Sequence, residues 1–114
     1  MATSTIKQSA AKEVILSSKI TQNAGTINDY VGIKNGNIVN IRAIINGVTL
    51  SNGGQICVID RNYAPVFEQY VSICNYSTGK PLSGNAFVNS AGSIRYFGSD
   101  VSNVDVEIFG TYIV

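Results

Sequence analysis

The chemistry open to this chain is limited first by what it lacks: its 114 residues include no histidine, which removes the usual general base, the commonest metal ligand and every Ser-His or Cys-His pair. Seven carboxylates remain. Among them Asp105 and Glu107 lie two residues apart, so in a strand they share a face, as a carboxylate pair for glycoside cleavage would. A solvated strand face has the same pattern, and no other residue marks a substrate cleft. Gly79-Lys80 resembles the end of a phosphate loop, but Cys74 stands where the first glycine belongs and Pro81 follows the lysine. Asp100-Val101-Ser102-Asn103-Val104-Asp105 alternates oxygen-bearing side chains without the glycine and distal glutamate of a calcium loop, so a turn is the expectation there. No metal, cofactor or catalytic residue is expected, and the chain is read as a non-enzyme.

Two cysteines, Cys57 and Cys74, fall within apolar strand-like runs, where a thiol behaves as a small hydrophobe, and both are expected to be free. Asn75-Tyr76-Ser77 is a glycosylation sequon without a secretory signal in Met1-Ala2-Thr3-Ser4-Thr5, and is taken as a chance match. The aromatic residues hold more interest: six tyrosines and four phenylalanines, with no tryptophan. Tyr70, Ser72, Cys74 and Tyr76 share one strand parity, with Val71 and Ile73 on the other. One face of that strand is therefore tyrosine-flanked and only weakly apolar, which suits protein interfaces and sugar recognition.

The elements that must position these residues are strands. Apolar and β-branched runs at 14–16, 30–34, 38–45, 56–59, 70–76, 85–89, 94–97 and 104–114 predict about eight of them. Between the runs stand Asn-Gly, Gly-Gly and Ser-Gly pairs, which supply turn conformations. Asn35-Gly36 is the clearest, a two-residue hairpin loop. After it, Val39, Ile41, Ala43 and Ile45 share a core face and the opposite face is mixed. The continuous run Ile56-Cys57-Val58-Ile59 predicts a strand buried on both faces, and so does Gly110-Thr111-Tyr112-Ile113-Val114. A strand of that kind at the C-terminus implies closure of a barrel or cover by another subunit. Tyr63-Ala64-Pro65 interrupts the pattern as an irregular crossover, since Pro65 donates no ladder bond and disfavours a helical Ala64. Residues 1–12 are expected as a lead-in or connector, with a short helix through Ala10 and Ala11 as one form, and residues 13–114 as a single β domain.

Composition bounds the rest. At 12.1 kDa one domain buries roughly two-thirds of its unfolded surface. Charged residues make up 13% of the chain and the net charge is +1, with the basic residues scattered singly, so no footprint for nucleic acid exists. No apolar run is long enough to span a bilayer as a helix. The fold class expected is all-β, an antiparallel sandwich or barrel.

The order of the motifs resembles the C-terminal head domain of bacteriophage tail-fibre and receptor-binding proteins over roughly residues 30–114. The resemblance rests on Gly36-Asn37-Ile38-Val39-Asn40-Ile41, on Gly54-Gln55-Ile56-Cys57-Val58-Ile59 leading into Asn62-Tyr63-Ala64-Pro65, and on Ala86-Phe87-Val88-Asn89. Gly92-Ser93-Ile94-Arg95-Tyr96 and the closing Gly110-Thr111-Tyr112-Ile113-Val114 complete it. In the family the crossover carries leucine-proline and a glycine before the tyrosine, where this chain has Ile59-Asp60 and Asn62 and keeps only the Tyr63 and Pro65 elements.

The resemblance implies a homotrimeric β head at a virion tail tip, assembled in the host cytoplasm. Its expected partners are a bacterial cell-surface saccharide or envelope protein and other tail or baseplate proteins, with no nucleic acid and no membrane insertion. The motif residues are scaffold, so no receptor contact is carried over from them. Tyr70, Tyr76, Arg95 and Asp100, near strand ends or loops, are the candidate saccharide-binding residues. The alternatives are a structural tail or baseplate trimer with no receptor contact and, last, a small glycan-active enzyme.

Overall fold

The computed structural model describes residues 11–13, as backbone, and residues 25–114. Eight strands follow in chain order: β1 (Ala11–Glu13), β2 (Thr26–Asn35), β3 (Ile38–Leu50), β4 (Gly54–Val58), β5 (Gln69–Asn75), β6 (Asn85–Val88), β7 (Ser93–Phe97) and β8 (Val101–Ile113). All pairings are antiparallel, in the order β1-β2-β3-β8-β5-β6-β7-β4, so seven full strands and the three-residue β1 form one curled sheet, a half-barrel. Among the described residues no α-helix occurs, and no helix is long and apolar enough to cross a membrane. Seven of the expected strands are present. The eighth, at 14–16, lies outside the described residues, as does Ala10, whereas Ala11 belongs to β1 rather than to a helix. β1 thus crosses the expected boundary between lead-in and domain.

The curl is made at β5. Its first residues, Gln69 to Val71, pair with β6, while Ser72 to Asn75 pair with β8. Where β5 leaves β8, the Gln69 side chain takes over the ladder: its amide donates to the Ile113 carbonyl (2.9 Å) and accepts from the Ile113 N–H (3.3 Å). Inside the curl, Val39, Ile41, Ala43, Ile45, Val106 and Ile108 meet Ile56, Ile59, Val88 and Ile94. Tyr96 and Tyr112, 0% and 1% exposed, are the largest side chains buried there. Each removes about 200 Å² from water, worth about 5 kcal/mol before conformational costs. Both hydroxyls are satisfied: Tyr96 donates to the Ser99 carbonyl (2.6 Å) and Tyr112 to the Tyr63 carbonyl (2.8 Å). The alternating core face Val39, Ile41, Ala43 and Ile45 is as expected.

Four local expectations are corrected. The β2–β3 loop is Gly36-Asn37, because Asn35 and Ile38 are register partners; only Gly36 has positive φ (64°), which fits a turn with glycine in the first central position. The apolar run in β4 does not mark a strand covered on both faces. The register steps from Gln55 opposite Arg95 to Cys57 opposite Ile94, so Ile56 is the extra residue of a β-bulge and both it and Cys57 are buried in this edge strand. The segment from Asp100 to Asp105 is mostly the start of β8 rather than a turn, with Asn103 in the left-handed region (φ 51°). At the end of β8 only one face is buried: Tyr112 points inward and the Val114 N–H donates to the Asn37 carbonyl, while Ile113 is 62% exposed. The crossover is irregular as expected, a single 3-10 turn at Arg61–Tyr63 capped by the Asp60 carboxylate, followed by a buried Pro65.

Candidate functional site

Alternation along β5 sends Val71 and Ile73 into the core and leaves Tyr70 and Ser72 exposed and Cys74 half-buried on the convex, outer face. Strand β8 places Phe109 opposite Ser72 and Glu107 opposite Cys74 on that face. On the other side, the β5–β6 connection folds back along β5: the Asn75 N–H donates to the Lys80 carbonyl (2.8 Å), Pro81 bridges to Cys74, and the Leu82 N–H donates to the Ile73 carbonyl (3.3 Å). The result is an open groove of about 570 Å³ with β5 as its floor, Phe109 and Thr111 on one wall, and Gly79, Pro81 and Asn85 on the other. Gly110 lets β8 close on the floor, since a Cβ there would stand 2.9 Å from Val71 Cγ1.

At the end of the groove Tyr70 stacks on Phe87 (centroids 4.3 Å, planes at 42°), and Phe87 meets the edge of Phe97 (5.4 Å, 76°). The hydroxyls of Tyr70 and Ser72 and the amide of Asn85 make no side-chain hydrogen bond with another described residue. Thr111 donates its hydroxyl proton to Asn40 Oδ1. No ionised side chain among the described residues lines the groove. The carboxylate of Glu107, opposite Cys74, accepts from Arg42, which also lies 3.8 Å from Asp29. Beside it the Cys74 thiol points at Glu107 Oε1 (3.9 Å), and burial together with the Glu107 charge raises its pKa. Cys57, enclosed in the core, is pushed up to about 12 by burial alone. Both cysteines are free, as expected.

The four sequence-predicted residues do not form one cluster. Tyr70 is 68% exposed and forms the head of the groove. Arg95 lies in the same transverse row, two strands away, with Phe87 between them, but its guanidinium donates to the Gly53 carbonyl (2.8 Å) and is held by that bond. Tyr76 follows the far end of β5, about 20 Å of strand from Tyr70. Asp100 lies on the β7–β8 connection, and neither it nor Tyr76 shares a hydrogen bond or ring contact with the other two. Sequence reasoning missed Phe87, Phe97, Asn85, Phe109 and Thr111. The alternation Asn85, Phe87 against Ala86, Val88 marks the outward side of β6, but only the strand order brings that side beside Tyr70.

The other candidates for chemistry serve the fold. Asp105 accepts the N–H of Gly47 (2.9 Å), whose positive φ (67°) sits in the register shift of β3, so it is committed to that bulge. The Asn75 side chain accepts from the N–H groups of Ser77 and Thr78 and closes the turn that contains the sequon. Gly79 has φ 74° in the same turn. Among the described residues no group of three or more histidine, cysteine or acidic side chains could hold a metal ion. The chain matches no protein-family model and no curated protein.

Proposed function

We propose that the chain is a head domain of the kind found at the tip of phage tail fibres and receptor-binding proteins, a homotrimer that attaches the virion to a glycan on the bacterial surface without enzymatic activity. The observation that carries the reading is the outward groove beside β5, which combines exposed aromatic rings with unpaired neutral polar groups. Two further features support it. The crossover and the terminal strand, two of the motifs on which the resemblance rests, are in contact through the Tyr112 hydroxyl and the Tyr63 carbonyl. The outer face of β2, β3 and β8 exposes Val31, Ile33, Ile38 and Ile113, and the loop before β5 exposes Val66 and Phe67 at 70% and 78%, as an assembly surface would. Shallow grooves bind weakly one at a time, and three per head raise avidity by about 10²–10⁴.

The test has two parts. Light scattering should give the mass of a trimer, and the labelled domain should bind saturably to the envelope of at least one strain in a bacterial panel, with loss of binding after periodate oxidation of the glycans. A trimer that binds no envelope and does not compete with phage would instead favour a structural tail or baseplate component, a reading to which the apolar outer face lends equal support. A monodisperse monomer would remove the assembly part of the proposal.

A further inference from the structure

The described lining of the groove carries no charge. Bacterial envelope polymers offer both neutral sugars and anionic groups such as phosphates and uronates, and the two need opposite surroundings. An anion brought into the groove would lose water without meeting a cation among the described lining residues, and the guanidinium of Arg42, the register partner of Phe109, is already shared between Asp29 and Glu107. A neutral pyranose meets no such cost. Its C–H face needs a flat apolar surface, and Tyr70 offers one that is 68% exposed and fixed in orientation by Phe87. Its hydroxyls each need a donor and an acceptor. Asn85 provides both, Ser72 provides either, and Thr111 is set as an acceptor because its own proton goes to Asn40.

From this arrangement we infer that the groove is a subsite for a neutral pyranose, stacked on Tyr70 and hydrogen-bonded by Ser72, Asn85 and Thr111, and that it discriminates against phosphate- and carboxylate-bearing units. The inference rests on the attachment reading for its biological setting, though the groove chemistry stands apart from it. Lys80 is the one basic residue on the connection that walls the groove, and its side chain is not part of the lining.

The experiment is an amide NMR titration of the whole chain with methyl glycosides of neutral hexoses, deoxyhexoses and N-acetylhexosamines, and in parallel with glucuronate and glycerol phosphate, at low and high salt. The neutral glycosides should shift the amides of Ser72, Asn85 and Thr111 with an affinity indifferent to salt. Tyr70→Ala should weaken that binding by about tenfold while leaving amides distant from the groove unmoved, and Tyr70→Phe should retain most of it. Lys80→Gln should change nothing. Preferential, salt-sensitive binding of the anionic probes, a loss with Lys80→Gln, or shifts confined to the Tyr76 or Asp100 loops would overturn the inference, as would the absence of shifts with every neutral glycoside. Envelope adsorption separates the two proposals. Adsorption in a domain whose groove amides no neutral glycoside shifts leaves attachment standing and refutes the subsite. Neutral glycosides that fill the groove of a domain that adsorbs to nothing uphold the subsite and refute attachment.

Discussion

Replacing Tyr112 by phenylalanine tests how the terminal strand is held. The ring, 1% exposed within the core, stays in place, and the single loss is the 2.8 Å hydrogen bond from its hydroxyl to the Tyr63 carbonyl. Tyr63 is half-buried, so water partly replaces the lost donor and the cost at neutral pH should be about 1 kcal/mol. For a domain of this size that is about 4 °C in Tm. Tyr112→Ala, which also empties the ring site, should cost about 3–5 kcal/mol. Alkaline pH gives an independent check. Burial holds the Tyr112 hydroxyl above its ordinary value of 10.0, with Tyr30 adding to the effect, so above that pH the folded state binds more protons than the unfolded chain. The stability tied to that proton is fully present below about pH 10 and declines as pH rises. Tyr112→Phe has no such proton to lose. In urea titrations followed by circular dichroism, the gap between the two proteins should narrow above pH 10 and then reverse. A gap that stays constant across the alkaline range, or a Tyr112→Phe loss equal to that of Tyr112→Ala, would refute the reasoning.

Three further outcomes follow from the packing. Because the Cys57 thiol is buried and pushed up to about 12, iodoacetamide at mildly alkaline pH should label it only on unfolding, while the half-buried Cys74 labels slowly in the native state; intact-mass spectrometry in and out of urea distinguishes them. At Gly84 a Cβ would come within 2.5 Å of both the Phe97 carbonyl and the Tyr96 ring, so Gly84→Ala should lose about 2–3 kcal/mol in urea denaturation; at Gly36, where nothing lies within 4 Å, alanine should cost only the strain of φ 64°, about 1 kcal/mol. Gln69→Leu should leave the Ile113 N–H and carbonyl to water, lowering global stability by about 1 kcal/mol; hydrogen exchange at Ile113 should accelerate much more than at Val106 or Ile108.

Much of the sheet was legible because its strands alternate strictly or end in turn residues. The inward set Val39, Ile41, Ala43 and Ile45 follows from period alone, and so does the outward, tyrosine-headed side of β5 that became the groove floor. What escaped depends on geometry that period cannot carry. A bulge shifts the side-chain phase by one, and Ile56 beside Cys57 therefore resembled a strand with two buried faces. The Asn-Gly signal pointed at the right hairpin and the wrong pair, because Gly36 takes the first central position instead of the second. Arg95 looked available for a ligand since nothing in the chain order places the Gly53 carbonyl within its reach. Phe87 was missed for the same reason: its partner Tyr70 is seventeen residues away in sequence and adjacent only in the sheet.

The outer face also pairs its charges in a way that hydrophobicity alone does not show. A standard interface needs about 800 Å² from each partner, more than Val31, Ile33, Ile38 and Ile113 can present by themselves, so any association there must include the polar residues between them. Several of those residues already have partners. Asn40 accepts from Thr111 across the β3–β8 ladder, and Arg42 is bracketed by Asp29 on β2 and Glu107 on β8. A surface whose charges are paired within the sheet can be covered without stranding a lone ion, which is the costliest obstacle to burying such a strip. The arrangement requires Arg42 to be held by both neighbours. If the proposed trimer forms through this face, Arg42→Ala would leave Asp29 and Glu107 as two like charges in the contact, and its effect should fall on association measured by sedimentation more than on the folding of the chain itself, where an exposed pair is worth at most about 1 kcal/mol.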